Sequence, residues 1–453
     1  MDATTEKLVD YTLATQFEDL PDAVTAAAKD RILDTLGCVA GGYDHPVSVT
    51  ARRLAARYSM DTPATIFGSG DRAAPEMAAF ANSVMLRVLD MSDTYRVKSG
   101  GHPSDIMGAA FAAAEIGQAD GRSLITAIAT GYEIYCGCCA AIDLNSQGWD
   151  QPVYGVIASA LCAGKLMGLN RDQLAHAVAL AAVPNMATIQ TRKGELSAWK
   201  GCAGANASRN GLFAALLAQE GITGPDMPFE GKFGMQDIVG PIEWPLEPGE
   251  APHRIAHTNL KSYAICYHGQ AAAWAAMDLR DGINIDDIES IDVATYDRSF
   301  EMMASSPSNW SPKTRETADH SLPYVVGTAL LTGVLGEASF SDQSLHDPSI
   351  GALMQRISVA EDPALSARHP EYSPSRITIR LKDGTEVAKE VDAPKGDDKN
   401  PMTADEVKAK FKAQFTVYGD DAQADTVMDA VYRLDAAPDI GALIKAMKRR
   451  ASP

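Results

Sequence analysis

Cations are scarce in this chain: 40 lysines and arginines stand against 59 aspartates and glutamates, a net charge of −19. Such an excess of acid disfavours nucleic acid and anionic membrane as partners. Met1–Glu6 has no basic start followed by an apolar run, so no export signal is expected and a cytoplasmic location is. No stretch of membrane-spanning length is free of a charge or several polar residues, and no span is expected. The seven cysteines lie mostly in alanine-rich surroundings, and an odd number so placed predicts reduced, buried thiols. Cys136-Gly137-Cys138-Cys139 has no second C-x-x-C or histidine pair to complete a metal site, so packing is its expected role. There is no Walker loop, and Gly201-x-x-Gly204 is not a dinucleotide fingerprint. No nucleotide, metal or other cofactor is expected.

What the chain does have is length and patterned alanine. At 453 residues it exceeds one ordinary core, and 46% hydrophobic with 22% charged residues is a globular composition. Helical periodicity runs through residues 22–39, 76–89, 104–116, 121–142, 153–167, 171–183 and 202–219, with glycine-rich stops between. After about Pro252 the texture changes. Residues 285–296 pass from helical spacing into alternation, and 375–385 alternate and then turn at Asp383-Gly384, a hairpin signal. Residues 271–279 and 322–335 read as helix, as do 403–415 and 422–449. The expected fold is mainly α: a large all-helical domain with a smaller α+β section.

The densest chemistry lies between two of these helices. Asp90-Met-Ser-Asp93-Thr94-Tyr95-Arg96-Val-Lys98-Ser99-Gly-Gly-His102-Pro103-Ser104-Asp105 gathers carboxylates, a hydroxyl, two cations and a histidine in one loop. Such a loop suits proton transfer on an anionic substrate. It reads equally as a solvated turn, with Pro103 at an early helical position and Ser104 or Asp105 as cap. A second stretch, Gly194-Glu-Leu-Ser-Ala-Trp199-Lys200-Gly-Cys202-Ala-Gly204-Ala-Asn-Ala-Ser-Arg209-Asn-Gly211, narrows the choice. Together with Leu260-Lys261-Ser-Tyr263, His320-Ser-Leu-Pro-Tyr324 and Lys399-Asn-Pro-Met-Thr403, the two resemble the MmgE/PrpD family over nearly the whole chain. That family includes 2-methylcitrate dehydratases, cis-aconitate decarboxylases and an iminodisuccinate epimerase.

The resemblance implies a helical domain over residues 1–256, an inserted α+β lid over 257–399, terminal helices over 400–453 that rejoin the first domain, and a homodimer. It matches Asp90, Thr94, His102, Lys200, Lys261 and Tyr324 to active-site positions. Their chemistry fits: Asp90 fixes the tautomer of His102 or is itself the base, and Tyr324 donates a proton. Thr94, Lys98, Lys200, Lys261 and Arg209 are the candidates for holding substrate, with Arg192 and Lys193 secondary and ordinary surface or helix cations as the alternative for these two and Arg209. His253, His257, His268 and His320 stay outside the catalytic set. The spacing from Thr94 to His102 resembles the dehydratases, and Asp150 stands where the decarboxylases resembled here carry a second histidine. The implied reaction is dehydration of a 2-methylcitrate-like polycarboxylate; epimerisation, decarboxylation and silent polycarboxylate binding are the alternatives. Ser99 replaces a glutamate of the dehydratase loop, and Arg96 and Lys98 add charge there, which implies an altered pocket.

Overall fold

Alanine loses no side-chain entropy on entering a helix and lets backbones approach closely, so alanine-rich periodic segments pack as a bundle. The computed structural model describes residues 1–58 and 60–450. It is mainly α, with helices at Asp22–Gly41, Pro75–Arg87, Met107–Ile116, Gly121–Ala141, Pro152–Leu166, Arg171–Ala182 and Trp199–Gln219. Prolines at the first helical positions of Pro75–Arg87 and Pro152–Leu166 open those helices, where a missing N–H costs nothing. Ala3–Ala14 and Pro46–Ala55 are helices the periodicity does not single out. Gly121–Ala141 is long and apolar enough to cross a membrane by length and composition; 89% of its most apolar window is buried inside the fold.

Two hydrophobic cores divide the chain. The larger collects residues from Leu8 to Leu260 and then from Val407 to Met447; the smaller collects residues from Ala264 to Ile379. The terminal helix Ala404–Phe415 lies on Asp22–Gly41, with the Phe411 ring in the space left by Gly37 and Lys410 paired to Asp34 at 2.5 Å. Residues 422–449 are not one helix. Helix Asp421–Tyr432 gives way to a 3-10 turn at Leu434–Ala436, Pro438 follows, and a short helix resumes at Gly441–Ala446.

The smaller core packs helices Gln270–Arg280 and Leu322–Thr332 with a four-stranded sheet. Its order is Ile357–Glu361, Ile288–Thr295, Ser375–Leu381 and Glu386–Val391; the first pair is parallel and the others antiparallel. Ile291 sits opposite Ile379 and Val293 opposite Ile377, so the alternation seen in both segments buries one face. Gly384, at φ 86°, takes the left-handed turn position that its hairpin requires. Strand Ile357–Glu361, largely exposed, has no comparable alternation in the sequence.

Candidate active site

The two cores meet around Asp90. Helix Pro75–Arg87 ends just before it, and the Asp90 backbone turns left-handed at φ 50°, a strained conformation that aspartate tolerates better than most residues. Its buried carboxylate accepts from Lys200 Nζ at 2.9 Å and Lys261 Nζ at 2.8 Å, with Arg87 at 3.5 Å. Lys200 comes from the start of helix Trp199–Gln219, and Lys261 from the junction between the cores. Lys200 also reaches Asp319 at 3.2 Å and lies 3.4 Å from His320 Nδ1. Burial alone would raise the Asp90 carboxyl, but Lys200, Lys261 and Arg87 outweigh it and hold the group well below the usual carboxylate range. Asp90 is therefore a fixed anion that ties two lysines together, and a weak base. Asp90, Asp319 and His320 are close enough to share a metal ion, but the Lys200 ammonium already bridges them.

The loop after Asp90 is a small hairpin. Tyr95–Arg96 pairs with Gly100–Gly101, and Thr94 exchanges both backbone hydrogen bonds with Asn259, which pins the loop beside Lys261. The Thr94 hydroxyl donates to the Gly101 carbonyl at 2.9 Å, leaving its oxygen lone pairs for the cavity. His102 Nδ1 lies 2.7 Å from the Asp93 main-chain carbonyl, which can only accept, so Nδ1 carries the proton. Burial, Arg87 and Lys261 hold this imidazole well below its ordinary value. Nε2 of a neutral ring is then a free base on the cavity wall. The expected partnership of Asp90 with His102 is corrected here: the lysines occupy the Asp90 carboxylate, and a backbone carbonyl sets the tautomer.

These groups line a cavity of about 300 Å³ between the cores. Thr94, Lys98, His102 and Lys261 face it together with Asp90. So do residues that sequence reasoning set aside or missed: Arg96, Asp150, Arg192, Cys266, His268, Arg298, His320 and His369. Arg192 is no surface cation; it is largely buried and pairs with Asp150 at 2.9 Å. His320 contacts Asp319 closely, and although burial opposes its charge, Cys266 and Asp319 prevail and push it up to about 9. His268 and His369 go the other way, held low by burial and by Arg96, His369 to about 4. The His-Ser-Leu-Pro-Tyr motif carried the signal for His320, whereas His268 stood only among the histidines outside the catalytic set. His369 stands in no such motif.

Three candidates, Tyr324, Arg209 and Lys200, do not line the cavity. Tyr324 is buried in the smaller core and its hydroxyl donates to the Ser339 carbonyl at 2.8 Å, so in this geometry it has no proton to offer a ligand. Arg209 lies farther along helix Trp199–Gln219, where it donates to Asn210. Lys98 sits on the rim, its ammonium 2.9 Å from the Ala141 carbonyl, and Lys193 pairs loosely with Glu301. Lys200 stands behind the cavity wall, holding Asp90 and Asp319. All seven cysteines are free and buried.

Two family models match the chain: the MmgE/PrpD N-terminal domain over residues 6–245 and the MmgE/PrpD C-terminal domain over residues 263–434. The chain is 30% identical over 414 residues to a 2-methylcitrate dehydratase of Cupriavidus necator, covering 83% of this chain and 82% of that one. It is 27% identical to a 2-methylcitrate dehydratase of Escherichia coli (strain K12), with the same coverage. A cis-aconitate decarboxylase of Aspergillus terreus is 25% identical over 94% of this chain and 92% of its own length.

Proposed function

This chain belongs to the MmgE/PrpD family, and we propose that it is a hydro-lyase that dehydrates a 2-methylcitrate-like polycarboxylate with its own acid and base groups. The observation that carries this reading is a pair of histidines lining one cavity, one from each core, displaced in opposite directions. His102 is neutral with Nε2 free; His320 is protonated to about pH 9. Titratable groups pushed apart by their surroundings mark a base and an acid.

In the reading proposed, His102 Nε2 removes the proton on the carbon alpha to a substrate carboxylate. The electron pair left behind forms the carbon–carbon double bond as the neighbouring carbon–oxygen bond breaks. His320 gives its proton to the departing hydroxide, which leaves as water. The carboxylate next to the reacting carbon carries the developing second negative charge, and the Lys261 ammonium and Arg192 guanidinium on the wall are fixed cations to receive it. In a chain of net charge −19, the cations on this wall set a local attraction against the repulsion that a polyanion meets at long range.

The test is proton NMR in heavy water with 2-methylcitrate, citrate, cis-aconitate and iminodisuccinate. Appearance of an unsaturated acid from a hydroxy acid supports the dehydratase reading. Deuterium entering an alpha carbon with the hydroxyl retained would replace it by epimerisation, and loss of carbon dioxide from cis-aconitate by decarboxylation.

A further inference from the structure

The wall of the cavity formed by Arg96, His268 and His369 has no part in the proton transfers. Arg96 is half-buried, and among the described residues no carboxylate lies within ion-pair distance of it. Its fork instead donates to imidazoles, at 2.6 Å to His268 Nε2 and with a longer approach of 3.5 Å to His369 Nε2. Its buried Nε has no partner at all, and neither has Nδ1 of His369. The guanidinium also lies over the Tyr267 ring at 5.2 Å. His268 passes a second contact on, with Nδ1 2.6 Å from the Tyr296 hydroxyl, and Tyr296 stacks on His369 at 4.6 Å. The guanidinium is thus held by His268, His369 and the Tyr267 ring, its charge is paired with no carboxylate among the described residues, and Arg96 lines the cavity.

A half-buried cation without a counter-ion and with a buried, unpartnered Nε carries part of a desolvation cost, and a bound carboxylate would offset it through a charge-assisted contact. We propose that Arg96 holds a third carboxylate of the substrate, one remote from the reacting carbons, and that this makes the site selective for tricarboxylates over dicarboxylates. The proposal rests on the polycarboxylate reading above and adds the residue that counts the carboxylates. Asp297 lines the same wall beyond ion-pair range, and Arg298 is already paired with Glu301 at 2.8 Å, which leaves Arg96 as the cation whose charge is free there.

The experiment is calorimetric binding of tricarballylate, a tricarboxylate with no hydroxyl to lose, against glutarate, to the wild-type protein and to Arg96→Gln and Arg96→Lys. The wild type is expected to prefer tricarballylate by at least about tenfold, equivalent to ~1.4 kcal/mol. Arg96→Gln should lose that preference while its affinity for glutarate stays within about twofold, and Arg96→Lys should keep part of it. A preference that survives Arg96→Gln, or survives undiminished in Arg96→Lys if the glutamine variant does not fold, overturns the proposal. Turnover of hydroxy acids is read in parallel. An Arg96-dependent preference with no dehydration of any acid would sink the dehydratase reading and leave this subsite standing; dehydration with an Arg96-independent preference would do the reverse.

Discussion

Lys261 grips Asp90 twice, its Nζ lying 2.8 Å from the Asp90 carboxylate and 2.8 Å from the Asp90 main-chain carbonyl. The double contact fixes both the side chain and the strained backbone of Asp90, and it crosses from the junction of the smaller core to the larger one. Asp90→Asn would leave Lys261 buried with no carboxylate paired to it among the described residues and Lys200 with Asp319 alone. Breaking a buried pair from one side costs about 3–5 kcal/mol. Denaturant unfolding should show a loss of that order, with the slope against denaturant unchanged.

His102→Gln keeps a side chain that can donate to the Asp93 carbonyl but supplies no base. Turnover should fall by about 10²–10⁴-fold, while calorimetric affinity for a non-reacting tricarboxylate changes little. An equal loss in both would make His102 a binding group.

Tyr324→Phe separates the resemblance from the geometry. The Tyr324 hydroxyl is spent on the Ser339 carbonyl, so its removal should leave kcat unchanged and cost only about 1 kcal/mol of stability. A fall of kcat by more than about tenfold would mean that Tyr324 turns toward the substrate when one is bound.

Stability should pass through a maximum near the ordinary histidine value of about 6.5. His320 is raised in the fold, to about 9, so its contribution is complete below about 6.5 and is lost as the pH rises toward 9. His102, His268 and His369 are depressed, the last to about 4. Below about pH 6.5 the unfolded chain takes up protons that these three refuse, and stability falls again as the pH drops, against a smaller opposite contribution from Asp105, which burial pushes up to about 6. Thermal melting across pH 4–9 checks both limbs, and His320→Gln should shrink the alkaline one, leaving the part due to buried thiols such as Cys38 and Cys162 that are pushed up.

Gly204→Ala tests the packing beneath the site. A Cβ at Gly204 would run into the carboxylate of Asp105, which pairs with Arg87 at 3.0 Å, and neither partner has room to withdraw. Overpacking of this kind costs about 1–3 kcal/mol, to be read as a lowered melting temperature.

The helices were legible because alanine-rich amphipathic runs and their glycine stops are local signals, and so was the hairpin at Asp383-Gly384. The interruption between Tyr432 and Gly441 shows the limit: periodicity continued on either side, and the chain instead takes a short 3-10 turn at Leu434–Ala436 before Pro438. The loop from Asp90 to Asp105 announced the site by density of chemistry alone. Who touches whom inside it did not follow, because Asp90, Lys200, Lys261 and Asp319 lie up to 229 positions apart, from 319 − 90, and meet only through packing of the two cores. Arg192 read as a surface cation because its partner, Asp150, is 42 positions away. His369 left no trace, since its role comes from lying against Tyr296 and Arg96.

The division of the cavity between two cores also sets an order of events for a chain finding its shape. Each core can gather most of its own contacts from its own stretch, except that the larger must wait for residues 407–447 at the end of the chain. The cavity needs both, since His102 stands on the first and His268, His320 and His369 on the second. Helical signal should therefore return early after dilution from denaturant, and activity last, when the halves dock.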